Sequence, residues 1–301
     1  MKSLFLVFWL FLLSCTSALA QAPQPPEVAA RHRFDWAGRL DINDLNRTLS
    51  VFPGRSSWIP EVDEVLVVGP WRNREDIAAV AQISAVRRLD DLIAASREAS
   101  LMLGSDAFVM PEWNETRNPR FYERNGLDLL EEVISFEVDS GVSRSGDLQL
   151  DHPVRLIAPD APLLDQIVDI DRTAFPWLWR NSRLEFEHYL YTPGVEIWAL
   201  RTPAGDPVGY AGITSYAGWG HLDRVAVDPA HQGGGYGERA VRFAIARLRQ
   251  LGARRVGLST QRSNLRSQRL YHRIGFQQTW QNDYRIYGTL APGAPTEEPL
   301  A

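Results

Sequence analysis

The sequence is 301 residues long, enough for about two domains of ~150 residues each. Its 32 Lys+Arg against 37 Asp+Glu give a formal net charge of −5, which excludes a general nucleic-acid binder. Hydrophobic residues at 45% exclude wholesale disorder, and a single cysteine excludes a disulfide framework or a multi-cysteine zinc site.

Residues 1–20 have the form of a secretory signal: Lys2, an apolar run from Leu4 to Leu13, then Ala18-Leu19-Ala20. The run is too short for an ordinary transmembrane helix. Leu12-Leu13-Ser14-Cys15 loosely resembles a lipoprotein cleavage box, and a misassigned start codon is the remaining alternative. Export with cleavage after Ala20 is therefore the expectation, with membrane contact only through an uncleaved or lipidated leader. Lys2 is the only lysine, so no later lysine can form a Schiff base or serve as a P-loop cation.

Residues 21–33 form a Pro-rich spacer. A first domain is expected over 34–138, a linker over 139–153 where small polar residues break all periodicity, a second domain over 154–290 and a disordered tail over 291–301. In the first domain Glu64–Val68 reads as a strand leading through Gly69-Pro70 into a helix over Arg74–Ala85, with Ile77, Val80, Ala81 and Ser84 on one face. A helix over Asp90–Leu103, strands at Ala107–Met110 and Val133–Val138, and a short helix at Asn118–Arg124 follow. In the second domain the pattern is strand 154–157, helix 163–174, strands 196–200, 208–216 and 222–227, helix 237–251, strand 255–259, helix 264–274 and a last strand near 284–287. Alternating strands and helices argue an α/β or α+β sandwich.

Asn118-Pro-Arg-Phe-Tyr122-Glu-Arg-Asn-Gly126-Leu echoes Ser267-Gln-Arg-Leu-Tyr271-His-Arg-Ile-Gly275-Phe. Both place a tyrosine near a helix end and a glycine four residues later. The matching order of the flanking elements favours a duplication over chance.

The most informative stretch runs from Leu222 to Arg239. A strand ends at Asp228-Pro229, Gln232-Gly233-Gly234-Gly235-Tyr236-Gly237 follows, and an amphipathic helix begins. Glycines at a strand-to-helix junction let backbone N–H groups approach an anion at the helix N-terminus. A Walker loop fails because Gly237 precedes Glu238, and a dinucleotide fingerprint fails because position 238 is Glu.

These residues resemble the GNAT superfamily of N-acetyltransferases. Its acetyl-CoA signature, [Q/R]-x-x-G-x-[G/A], is filled by Gln232-Gly-Gly-Gly235-Tyr-Gly237, and Asn264 with Tyr271-His-Arg-Ile-Gly275-Phe276 is similar to the family's later helix. The resemblance covers residues ~154–290. It implies a mixed central sheet flanked by helices, in two tandem copies. The first copy looks degenerate, since Gly69-Pro-Trp-Arg-Asn-Arg74 stands where its phosphate loop is expected, and it should bind no acetyl-CoA.

Carried over, the family's roles place pantetheine along Val225, Ala226 and Val227, and the diphosphate in the loop from Gln232 to Gly237. Tyr271 would be the general acid, and Asn264 would cap its helix or hold pantetheine. Between residues 221 and 285 stand 12 Arg against 4 Asp+Glu, a field that favours a phosphate-bearing ligand. For the base, Asp223 is the first candidate, Glu196 the second and His221 the third. Phe175-Pro-Trp177-Leu-Trp179-Arg180, with Tyr189 and Tyr191, would wall an acceptor pocket or simply pack. The implied function is direct acetyl transfer from acetyl-CoA to a small-molecule or peptide amine, with no metal. The alternative is a non-catalytic acyl-CoA-binding or sensor protein, and an exported binding module is a third reading. Acetyl-CoA is a cytoplasmic metabolite, so the leader and the chemistry point to different compartments.

Overall fold

In a computed structural model of the chain, residues 42–113, 117–142, 153–156, 158 and 162–295 are described. The leader, the spacer, most of the linker and residues 296–301 lie outside them. Among the described residues no helix is long and apolar enough to cross a membrane. Two compact units emerge: the first comprises described residues up to 112, 117–130 and 286–294, and the second comprises 113, 131–285 and 295. The units thus depart from a simple cut at the linker. Each takes one strand segment from the other half of the sequence.

The second unit contains β6 (Val154–Leu156), α4 (Pro162–Ala174), α5 (Arg183–Tyr191), β7 (Val195–Arg201), β8 (Pro207–Tyr216), β9 (Trp219–Val227), α6 (Tyr236–Gln250), β10 (Arg255–Gln261), α7 (Leu265–Ile274) and most of β11 (Gln277–Leu290). Its sheet runs β6-β7-β8-β9-β10, then residues 131–139 of β5 (Asp128–Asp139), then β11. The β6/β7, β7/β8, β8/β9 and β10/β5 pairs are antiparallel, while β9 and β10 are parallel. Side chains alternate across the sheet, so two cores form. Val241, Ala244, Ile245 and Leu248 of α6 pack with Tyr271 and Ile274 of α7 against Leu222, Val256 and Leu258. On the other face, Leu164, Ile167 and Ile170 of α4 and Phe186 of α5 cover Ile197, Ala199 and Tyr210. The periodic helices and most strands stand where the sequence pattern puts them. Helix α5, capped by Ser182 through a 3.0 Å bond from the Glu185 N–H, has a weak apolar stripe and escapes that pattern.

The first unit contains α1 (Ile42–Val51), β1 (Ser57–Ile59), β2 (Glu64–Pro70), β3 (Ile77–Ser84), α2 (Leu89–Met102), β4 (Ala107–Trp113, to residue 112) and α3 (Pro119–Arg124). The helix expected at Arg74–Ala85 is instead β3, paired antiparallel with β2 and parallel with β4. Ile77–Val80, Gln82 and Ile83 are all buried. A run buried on both faces carries no period of two, and its chance spacing of Ile77, Val80, Ala81 and Ser84 imitates a helix. Gly69–Arg74 therefore forms the β2–β3 hairpin, not a strand-to-helix junction, and Pro70 and Trp71 block no phosphate loop.

Each unit repeats one series: a hairpin, a helix, a parallel strand, a short helix and a further strand. The tyrosine echo is also structural. Asn118 and Asn264 cap α3 and α7 by accepting from the Arg120 and Ser267 N–H groups, both at 3.0 Å. At the opposite ends the Leu127 N–H donates to the Tyr122 carbonyl at 3.0 Å, and the Phe276 N–H donates to the Tyr271 carbonyl at the same distance. Gly126 and Gly275 supply the left-handed turn (φ 67° and 115°) that both closures need.

Residues 286–290 complete the first unit through Tyr287, whose ring stacks on Tyr122 with centroids 3.5 Å apart. Tyr287→Ala should destabilise this unit by about 3–5 kcal/mol. Hydrogen exchange should speed up across residues 107–124 and stay unchanged in α6 and α7.

Candidate active site

The parallel pair β9/β10 joins only Trp219–Leu222 to Arg255–Leu258. Beyond those residues the strands separate, although β9 runs to Val227 and β10 to Gln261. On its other side β9 stays paired with β8, Val225 opposite Ala211 and Val227 opposite Gly209. The edge of β9 facing the gap therefore keeps backbone groups that need partners. An extended ligand can supply them as an added strand would.

The β8/β9 register shifts so that Ile213 faces Leu222 and Gly212 faces Arg224, leaving Asp223 as the extra residue of a bulge. Both Asp223 and Arg224 then turn to the α4/α5 face. Arg224 reaches Asp171 of α4 at 2.6 Å, the Tyr210 hydroxyl at 2.8 Å and the Trp179 carbonyl at 2.6 Å. Its guanidinium also lies 3.8 Å from the Phe175 ring centroid. Burial acts to discharge Arg224, yet Tyr210 and Asp171 hold its pKa above the ordinary arginine value. This buried cluster fixes the strand just where it leaves β10.

After β9 the chain turns at Pro229–His231, where Asp228 accepts from the Ala230 N–H at 2.8 Å. Gly233 and Gly235 adopt φ of 86° and 80°, and a Cβ at either would meet nothing within 4 Å. These positions take glycine for conformation and face open space. The N-terminus of the 15-residue helix α6 begins here, so N–H groups and the positive end of the helix dipole converge on one point. Gln232 ties the loop down: its Nε2 donates to the Val227 carbonyl at 3.1 Å, and its oxygen accepts from Arg266.

A cleft of about 300 Å³ joins these elements. Val225, Ala226, Val227, Gln232, Gly233, Gly235, Tyr236, Gly237, Asn264 and Tyr271 line it. Tyr271 is 9% exposed. Burial pushes its phenol up to about 12, against a small downward pull from the Ser267 hydroxyl. The cleft thus has an anion-binding loop at one end, a free strand edge along it and a protonated phenol beside the edge. A phosphate-bearing ligand with an extended arm would fit this arrangement.

Residues 164–276 match the family model described as Acetyltransferase (GNAT) family. This segment is a GNAT acyltransferase domain. Among solved structures, the chain resembles a GCN5-related N-acetyltransferase from Sphaerobacter thermophilus (14% identity, 90% of this chain and 95% of that one, TM-score 0.56). It also resembles a probable N-acyltransferase from Enterococcus faecalis (9%, 90% and 71%, TM-score 0.62). A tandem GNAT protein from the clavulanic acid biosynthesis pathway aligns at 15% identity over 75% of this chain and 78% of that one, TM-score 0.50. These likenesses establish a shared fold. No curated protein matches the chain.

Most of the residues expected at the GNAT cofactor site line the cleft; Gly234 lies beside it without lining it. Asn264 caps α7 while facing the cleft. The base candidates sit elsewhere. Glu196 is 5% exposed and locked by Arg247, with both bonds at 2.8 Å, and by Arg155 at 3.2 Å. Asp223 does not line the cleft: it accepts from the Tyr189 hydroxyl, from Thr214 at 2.7 Å and from His221 Nδ1 at 2.7 Å. Those three contacts hold Asp223 on the α4/α5 side, away from the cleft lining. Trp177, Leu178 and Trp179 are buried, so that segment is packing with one ring, Phe175, reaching the cleft. Sequence reasoning missed the Asp171–Arg224–Tyr210 cluster, because nothing local marks Arg224 as inward-facing. Asp171→Ala would leave that arginine buried without its carboxylate and should cost about 3–5 kcal/mol in urea unfolding.

Proposed function

We propose that the second unit transfers an acetyl group from acetyl-CoA directly to a primary amine within a ternary complex. The observation that carries this reading is the meeting of the open strand edge, the glycine loop and Tyr271 in one cleft. The CoA diphosphate would sit on the N–H groups of residues 232–237, and pantetheine would bond to the edge of Val225–Val227. A neutral amine attacks the thioester carbon, the C–S bond breaks, and the thiolate takes the proton of the Tyr271 hydroxyl. With its pKa near 12, this phenol stays protonated through the neutral range, so its ionisation causes no loss of rate as pH rises from 7 to 10. The chain's single cysteine, Cys15, lies in the signal-like leader. The proposed route therefore involves no cysteinyl acyl-enzyme.

The proton leaving the amine goes to His221, which does not itself line the cleft but stands on β9 next to where that strand leaves β10. Its ring pairs through Nδ1 with Asp223, its strand position faces Gly257, and β9 leaves β10 just beyond the next residue. Asp223 orients the imidazole and leaves Nε2 as the acceptor, so the carboxylate acts through the histidine. The saturation of Asp223 also suits the second reading, a binding or sensor protein that never turns over.

Steady-state assays of CoA release across an amine panel separate the two. Transfer should give intersecting initial-rate lines; binding without turnover on every amine would favour the sensor. Tyr271→Phe should bind acetyl-CoA as well as the wild type and slow the chemical step by ~10²–10⁴-fold. His221→Ala should leave acetyl-CoA affinity unchanged and lower kcat by at least ~10²-fold. A His221→Ala enzyme with full turnover would remove this base.

A further inference from the structure

The first unit repeats the geometry of the cofactor cleft and fills it. Strands β3 and β4 pair in parallel only over Ile77–Ala79 and Ala107–Val109, and then separate as β9 and β10 do. Helix α2 follows β3 as α6 follows β9. The connection differs: the second unit uses residues 228–235 with three consecutive glycines, while the first uses Ala85–Arg88 with none. The N–H groups of Val86, Arg87 and Arg88 at this junction all donate to one carboxylate, that of Glu64 on β2, at 3.0, 2.7 and 2.7 Å. Glu64 is 7% exposed. Burial opposes its ionisation, but the three N–H groups and Arg87 hold its pKa below the ordinary carboxylate value.

The tyrosine end is filled as well. Tyr122, the counterpart of Tyr271, is 1% exposed and covered by the Tyr287 ring. Beside it, Glu112 is 2% exposed and paired with Arg117. Burial raises the pKa of both Tyr122 and Glu112.

We propose that the first unit is a cofactor cleft closed by the protein's own side chains, with the Glu64 carboxylate standing where the second unit would receive a phosphate. Each chain then takes one acyl-CoA, and the first unit serves as a scaffold with a permanent internal anion. A four-residue connection without glycine leaves no room for an external diphosphate, and a carboxylate on the neighbouring strand satisfies the same N–H groups.

The test uses the full chain. Glu64→Ala should lower the thermal midpoint by about 5 °C or more. Formate or inorganic phosphate should restore some of that loss relative to chloride at equal ionic strength, with a much smaller shift in the wild type. Glu64→Gln keeps the side chain's size and still folds if the alanine variant does not. In it the peptide spanning residues 85–92 should exchange its amide hydrogens faster than in the wild type. Equal midpoints for Glu64→Ala and wild type, equal anion shifts in both, or unchanged exchange in Glu64→Gln would overturn the proposal. Acetyl-CoA titration of the wild type should give one site per chain, and two sites would also overturn it. Absence of any acetyl-CoA binding would instead count against the reading of the second unit, and the Glu64 measurements would still decide this one.

Discussion

The site depends on one backbone event: a parallel strand pair that stops pairing. Parallel neighbours normally satisfy each other along their whole length, so strands that separate leave N–H and C=O groups needing another partner. Here the separation of β9 from β10 after Leu222 and Leu258 is enforced on the β9 side. The bulge at Asp223 turns Arg224 inward, and Asp171, Tyr210 and the Trp179 carbonyl hold it. The strand is thereby tied to α4 and β8 and drawn away from β10. The gap opens a cleft along β9 that leads to the α6 N-terminus and passes beside Tyr271.

The two units show one backbone plan used in opposite ways. In the second, glycines in the left-handed region turn the chain into the α6 N-terminus, with open space where their side chains would stand. In the first, a shorter connection presents its N–H groups inward to Glu64. The same logic separates the tyrosines. Tyr271 borders a cleft, while Tyr122 sits beneath Tyr287. An orphan helix terminus needs partners in either case; in the first unit the Glu64 carboxylate supplies them.

The legible and illegible regions of this molecule divide along physical lines. The glycine loop was readable because left-handed φ values restrict residue type, and its place between a strand and an amphipathic helix left a local trace. The tyrosine echo was readable because helix closure by glycine is also local. Segment 77–84 was not, since a strand buried on both faces has no alternation to distinguish it from a helix face. Non-local pairing hid the exchange of 131–139 and 286–294 between the halves. The roles of Asp223 and Arg224 turned on a bulge. One extra residue sends two neighbouring side chains to the same face, and spacing alone assigns them to opposite ones.

Amide hydrogen exchange on the full chain, with and without acetyl-CoA, tests the central claim most directly, because it reads the backbone groups on which the cleft depends. Exchange should slow at Val225–Val227 and at the loop Gly233–Gly237, with no change at Val86–Arg88. Protection at Val86–Arg88, or none along β9 and its glycine loop at saturating acetyl-CoA, would contradict that claim.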